Sequence, residues 1–168
     1  MRTFSLLKGL PVYEKNKGAK IGEVYDLDIS RSGMVRGLLL KTGAFFKRSF
    51  FLSINDVSSF GWDGVMVEDK TRLRPLKKPR DYTLEGHQKL TGRPLLTTEG
   101  QKLGLLEDVY FQEEMGTIVG YECSDGFFSD ILEGKRVIKT DDPPTIGKDA
   151  IIVDVDTDDN NCESLELS

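Results

Sequence analysis

Apolar and polar residues alternate over short runs along this chain, and Gly, Asn, Asp, Ser and Pro punctuate the runs, a pattern that predicts strands more than helices. Ile21, Tyr25, Leu27 and Ile29 alternate with Gly22, Val24, Asp26 and Asp28 across one strand-length run. Ser30-Arg31-Ser32-Gly33 is a hairpin-type turn signal, and Met34 to Lys41 follows as a second strand. Thr42-Gly43 then turns the chain into Phe45 to Ile54, where Phe46, Phe50, Leu52 and Ile54 fall on one face, and Val65 to Val67 closes the unit. The second half gives strands over Lys102 to Gln112, Ile118 to Ser124, Arg136 to Lys139 and Ala150 to Val155. Short helical turns are expected over Ser5 to Gly9 and Leu84 to Thr91, with a 3₁₀ turn at Asn55 to Val57.

The two halves are copies of each other. Leu7-Lys8-Gly9-Leu10-Pro11-Val12 is answered by Leu90-Thr91-Gly92-Arg93-Pro94-Leu95. Gly18, Lys20, Ile21, Gly22, Val24 and Asp26 are answered by Gly100, Lys102, Leu103, Gly104, Leu106 and Asp108. Gly33, Val35 and Gly37 meet Gly116, Ile118 and Gly120, and Gly43 with Phe45-Phe46 meets Gly126 with Phe127-Phe128. Gly61, Asp63, Val65 and Val67 meet Gly147, Asp149, Ile151 and Val153. The offset grows from 82–83 to 86 residues, which places a small insertion in the second copy near Ser129 to Lys135. Matching glycines and prolines matter because they set turns. A short run of antiparallel strands hides its edges best by closing on itself, so each copy is expected to form a small β-barrel. A barrel of about 65 residues buries only about 60% of its unfolded surface, which favours an interface between the copies.

The pattern Leu-x-Gly-x-Pro-Val, then Gly-x-Lys-Ile-Gly-x-Val-x-Asp, then Gly-x-Val-x-Gly-Leu, with a closing Gly-x-Asp-x-Val-x-Val, resembles the PRC-barrel family. That family includes the cytoplasmic domain of the photosynthetic reaction-centre H subunit, and a related barrel forms the C-terminal part of the ribosome maturation factor RimM. The resemblance spans residues 5–69 and 85–156 and implies an all-β chain of two tandem antiparallel barrels with short helical turns. It also implies an interaction module without a shared catalytic site. The second copy departs at Leu105 and Glu107 and carries Pro143-Pro144 where the first has Val57-Ser58. On this reading residues 1–69 and 85–156 are the two barrels, 70–84 a basic, proline-containing linker, and 157–168 an acidic flexible tail.

Charge sharpens this picture. The net charge of −5 over 168 residues hides a gradient. Residues 1–80 carry 16 bases against 8 acids, residues 81–153 carry 7 against 14, and residues 154–168 carry six acids and no base. Lys70, Arg72, Arg74, Lys77, Lys78 and Arg80 supply six bases in eleven residues without an acid, a candidate surface for an anionic partner. Pro75 and Pro79 equally suit a semi-rigid, solvated spacer, and the segment has a second candidate resting place on the acidic second copy.

Other residues carry weaker chemistry. Asp26 and Asp108 hold one place in both copies and read as acceptors for the backbone donors of a neighbouring turn, with Gly22 and Gly104 as the matching structural glycines. The Asp154-Val155-Asp156-Thr157-Asp158 run opens like a calcium loop, but Asp159 or Asn161 stands where glycine is required and Leu165 or Leu167 where the bidentate glutamate is required. His87 is the sole histidine and has neither Cys123 nor Cys162 at ligand spacing. Cys123 aligns near Leu40 and reads as a packed apolar residue, whereas Cys162 falls in the tail. Phe45 to Phe51 interleaves aromatics with Lys47 and Arg48, which would suit RNA stacking were Phe46 and Phe50 not on the core face. No phosphate loop, dinucleotide fingerprint, nucleophile elbow or zinc-protease motif is present.

No apolar run reaches the roughly 20 residues of a membrane helix. A charge interrupts Met1 to Lys8 before a signal-type apolar region forms, and two cysteines make no disulfide framework, so a cytoplasmic location is expected. The sequence therefore reads as a non-enzymatic protein-binding or scaffold module, a monomer or weak homodimer with no cofactor and an unidentified protein partner. An RNA- or ribosome-associated factor is the alternative, and a metal-binding protein or enzyme using the Asp-rich segments is the weaker one.

Overall fold

A computed structural model describes residues 1–45, 47–124 and 135–155. The chain opens with β1 (Arg2–Thr3) and a 3₁₀ turn at Phe4–Leu6. Then follow β2 (Pro11–Glu14), β3 (Ala19–Ile29), β4 (Val35–Thr42), β5 (Arg48–Ser53), β6 (Val57–Phe60) and β7 (Val65–Val67). Two very short strands, β8 (Arg74–Pro75) and β9 (Tyr82–Thr83), lead into the second copy, which holds β10 (Pro94–Thr97), β11 (Lys102–Phe111), β12 (Ile118–Ser124), β13 (Arg136–Lys139), β14 (Thr145–Ile146) and β15 (Ile151–Val153). Among the described residues no helix is long and apolar enough to cross a membrane.

Two curled sheets result. One runs β6-β7-β2-β3-β4-β5-β8 with β9 added on β3, and the other runs β13-β12-β11-β10-β15-β14 with β1 added on β11. Most neighbours are antiparallel, but the closing strand of each copy returns beside its first strand in parallel, β7 on β2 and β15 on β10. The long strand of each copy carries a bulge at the same place. Val24 opposes Leu40 and Asp26 opposes Leu39, so Tyr25 is extra; Leu106 opposes Cys123 and Asp108 opposes Glu122, so Glu107 is extra. A bulge reverses which side chains face inward. Val24 and Leu27, three apart rather than two, are therefore both buried, as are Leu106 and Val109. This corrects the simple alternation expected for Ile21 to Ile29, because Ile21 and Tyr25 lie on the less buried face.

The copies exchange their leading strands. Arg2 and Thr3 pair with Phe111 and Tyr110 of the second sheet, while Tyr82 and Thr83 pair with Ile29 and Asp28 of the first. The turns after these strands are buried through Phe4, Leu7, Leu84 and Leu90, and one continuous apolar cluster runs through both copies. Hairpin ends complete the contact: the Gly116 carbonyl accepts the Val35 N–H at 2.8 Å, and Gly33 lies against Pro144.

Two expected elements differ. Phe4–Leu6 forms a 3₁₀ turn, but Leu84 to Thr91 forms no helix. There the Thr83 hydroxyl accepts the Gly86 N–H at 3.0 Å and donates to the His87 carbonyl at 2.8 Å, and Gln88 takes φ 53°, so local side-chain bonds replace the helical ladder. The segment 70–84, expected as a spacer, is bound to the first sheet. It forms a 3₁₀ turn at Lys70–Arg72 and the edge strand β8, where Pro75 is tolerated because an edge requires fewer donors. Phe46, residues 125–134 (the Gly126 and Phe127-Phe128 match and all but Lys135 of the insertion expected at Ser129 to Lys135) and the residues from Asp156 onward lie outside the described residues.

Gly22 and Gly104 hold equivalent places but different constraints. A Cβ on Gly104, at φ +150°, would lie 2.6 Å from the Ser124 carbonyl oxygen, whereas one on Gly22 would lie 3.2 Å from that of Lys41. Gly104→Ala is expected to cost about 2–3 kcal/mol and Gly22→Ala about 1 kcal/mol, read from urea midpoints. Equal losses would show that the second sheet relaxes around the added methyl.

Candidate functional site

The two repeated aspartates sit where the bulges aim them, each on a turn of the other copy. Asp108 accepts the N–H groups of Phe4 and Ser5 at 3.0 Å each and of Val109 at 2.7 Å. Asp26 accepts those of Leu84 and Glu85 at 3.0 Å each and of Leu27 at 2.8 Å. Both are buried, at 2% and 5% exposure for Asp26 and Asp108. All three donors to Asp26 reach Oδ1, while Asp108 divides its donors between both oxygens. Burial pushes the Asp26 carboxyl above the usual carboxylate range, and the backbone donors of Glu85 and Leu27 only partly offset it. Both carboxylates are engaged by backbone donors, three each.

A cleft of about 760 Å³ opens between the copies beside Asp108. Around it Lys8 reaches Glu85 at 2.5 Å, Lys135 bridges Glu122 at 3.0 Å and Glu107 at 3.1 Å, and Lys89 is exposed. The bonds to Glu122 and Glu107 raise the Lys135 pKa. Cys123 is buried opposite Leu106, and burial pushes its thiol up to about 12, so it packs as its counterpart Leu40 does. His87 lies on an exposed turn, engaged through its backbone carbonyl. Among the described residues no group of three His, Cys, Asp or Glu side chains gathers at metal-binding spacing. The Asp-rich run beyond Val155 lies outside the described residues.

The basic segment divides into anchored and presented residues. Lys70 donates its N–H to Glu14 at 3.0 Å, and Arg72 faces Asp56 at 3.4 Å. Arg80 meets Asp28, which has no exposed side-chain surface, at 2.5 Å and lies 4.5 Å over the Phe51 ring. Arg36 takes the other oxygen of Asp28 at 3.1 Å and also meets Asp81. These partners all belong to the first copy or to the segment, which corrects the alternative that it rests on the acidic second copy. The reason is local: a fully buried carboxylate requires cations, and Arg80 arrives beside it as β9 pairs with β3.

Arg74, Lys77 and Lys78 are exposed and form no ion pair among the described residues. Because β8 runs antiparallel to β5, with Leu76 N–H bonded to Ser49, the chain leaves β8 toward the start of β5. Lys77 and Lys78 thus come to the end of the sheet that carries Lys41, Lys47 and Arg48, all exposed. Phe45 at that turn is 95% exposed. Sequence reasoning found the segment and the Phe45 to Phe51 stretch separately; their union required the β5–β8 pairing, for which a two-residue strand leaves no periodic signal.

Comparison with known proteins agrees with this architecture. The uncharacterized protein YrrD of Bacillus subtilis (strain 168) is 33% identical over 156 residues, covering 91% of this chain and 87% of the relative. A family model for the PRC-barrel domain matches residues 1–73 and again 84–160. Two matched copies, two curled sheets and repeated glycine and aspartate positions agree, and the chain belongs to the PRC-barrel domain family.

Proposed function

We propose that this protein is a non-enzymatic binding or scaffold module that presents the cationic end of its first barrel to an anionic partner. One observation carries the reading. Lys41, Lys47, Arg48, Lys77 and Lys78 converge on one end of a sheet without ion-pair partners among the described residues, Lys41 resting 4.6 Å over the Tyr25 ring, whereas the buried aspartates are hydrogen-bonded and Cys123 is packed. Unpaired surface cations are stable in water and become useful when a partner supplies the counter-charge. The test is retention on immobilised heparin, used as a generic polyanion. The wild-type chain, despite its net charge of −5, is expected to bind at low salt and elute as salt rises. The fourfold variant Lys47→Ser, Arg48→Ser, Lys77→Ser, Lys78→Ser should pass through with its melting temperature unchanged. Equal retention of both proteins would refute the reading.

A further inference from the structure

We infer that the anionic partner is a phospholipid surface, on which the β4–β5 turn of the first barrel lies with Phe45 entering the headgroup boundary. This rests on the reading of the cationic end as a binding surface. The turn projects a 95% exposed phenylalanine beyond the ends of β4 and β5, and Lys41, Lys47 and Arg48 flank it in sequence. Lys77 and Lys78 join them through the β5–β8 pairing. An apolar tip ringed by long basic side chains matches the layered chemistry of a membrane interface, where the ring meets acyl chains and the ammonium groups meet phosphates.

Glu23 stands opposite Lys41 in the β3–β4 pairing, but Lys20 holds it at 2.6 Å and draws its pKa below the usual range, with Lys47 adding to the effect. β4 begins at Val35, bonded to Gly116 of the second copy, and ends seven residues later at Thr42, beside the cationic turn. At about 3.3 Å per residue the turn lies about 23 Å along the strand from that hairpin contact. Nucleic acid fits less well. Single-strand binding favours a platform of open aromatic faces, and here the Phe51 ring is covered by Arg80 and Phe50 is half-buried, so among the described residues of this stretch Phe45 is the one fully exposed ring.

The test is co-sedimentation of the full chain with phosphatidylcholine vesicles containing about one-third phosphatidylglycerol, chosen to supply the anionic surface. Vesicles of phosphatidylcholine alone and a single-stranded RNA oligonucleotide serve as comparisons. Binding to the mixed vesicles is expected, with loss of about 100-fold or more in the fourfold Lys/Arg→Ser variant. Phe45→Ser should weaken it about tenfold and Phe45→Leu should restore most of it. Neither change at Phe45 disturbs packing, because the side chain is exposed. Heparin retention that depends on the four bases, without binding to mixed vesicles, would overturn the lipid assignment and leave the binding-module reading standing. Tighter binding to the RNA through the same residues would overturn it as well. Vesicle binding insensitive to Phe45→Ser would overturn the insertion of the ring. Failure of the heparin test would remove the foundation of both.

Discussion

Asp26→Ala is expected to lower the melting temperature by about 6–12 °C, corresponding to about 3 kcal/mol in a chain of this size. The substitution removes the carboxylate that accepts the backbone N–H groups of Leu27, Leu84 and Glu85. Asp108→Ala should act similarly by stranding Phe4, Ser5 and Val109. Because the two residues fasten opposite ends of one exchange, the double variant should not fold at 37 °C. Asp26→Asn, which keeps an acceptor oxygen, should recover part of the loss. Acid should not mimic the alanine variant at Asp26. Its carboxyl is raised in the folded state, so its contribution is fully present below the unfolded value near ~4 and diminishes as pH rises through the higher folded value. Protonation can occur on Oδ2 while Oδ1 retains all three donors. Thermal melts at pH 4 and 7 of wild type and Asp26→Asn decide this; a wild-type advantage that shrinks on acidification would contradict it.

Dividing the chain between Lys78 and Pro79 should abolish the folded monomer of either half. The first half would keep β1 and its turn but lose Tyr82–Thr83 and the turn that Asp26 holds, and the second would lose the turn that Asp108 holds. Phe4, Leu7, Leu84 and Leu90 would all be uncovered, and burying a large apolar side chain contributes about 1.5–3 kcal/mol. Total stabilities of about 5–15 kcal/mol leave little to absorb that loss. Mixed in equal amounts, the halves should recover a single cooperative transition. Circular dichroism melts with light scattering test this, and a cooperative monomeric transition in either half alone would show that each copy folds independently.

Much of the architecture was legible because turns and strand faces are set by local chemistry that a duplicated sequence displays twice. Matching glycines, the alternating runs and the paired aspartates located both copies and the acceptor role of the carboxylates. What the sequence left hidden was where the donors came from. A turn bonded to its own sheet and one bonded to the other copy's sheet have the same local residues, so no periodicity separates them. The bulges at Tyr25 and Glu107 were hidden for a related reason: the polar residue at the extra position resembles an ordinary outward-facing one. Six cations and two prolines suit a partner surface, a solvated spacer or a strap on the second copy equally well. The demand of Asp28 for Arg80 is invisible in the sequence, because its burial depends on the β9 pairing.

The reciprocal exchange has the form of a two-fold dimer, in which the contact made by one half on the other is returned in kind. A protein carrying one such repeat could satisfy its aspartate with the turn of a second identical chain, but both members would then carry the same surface. Joining the repeats in one polypeptide removes that restriction. Here one half has become basic and the other acidic, and Asp28 with its arginines stands where the sister copy has Tyr110. Fusion thus converts a symmetric pair into an electrically polar object, whose two ends need no longer face the same surroundings.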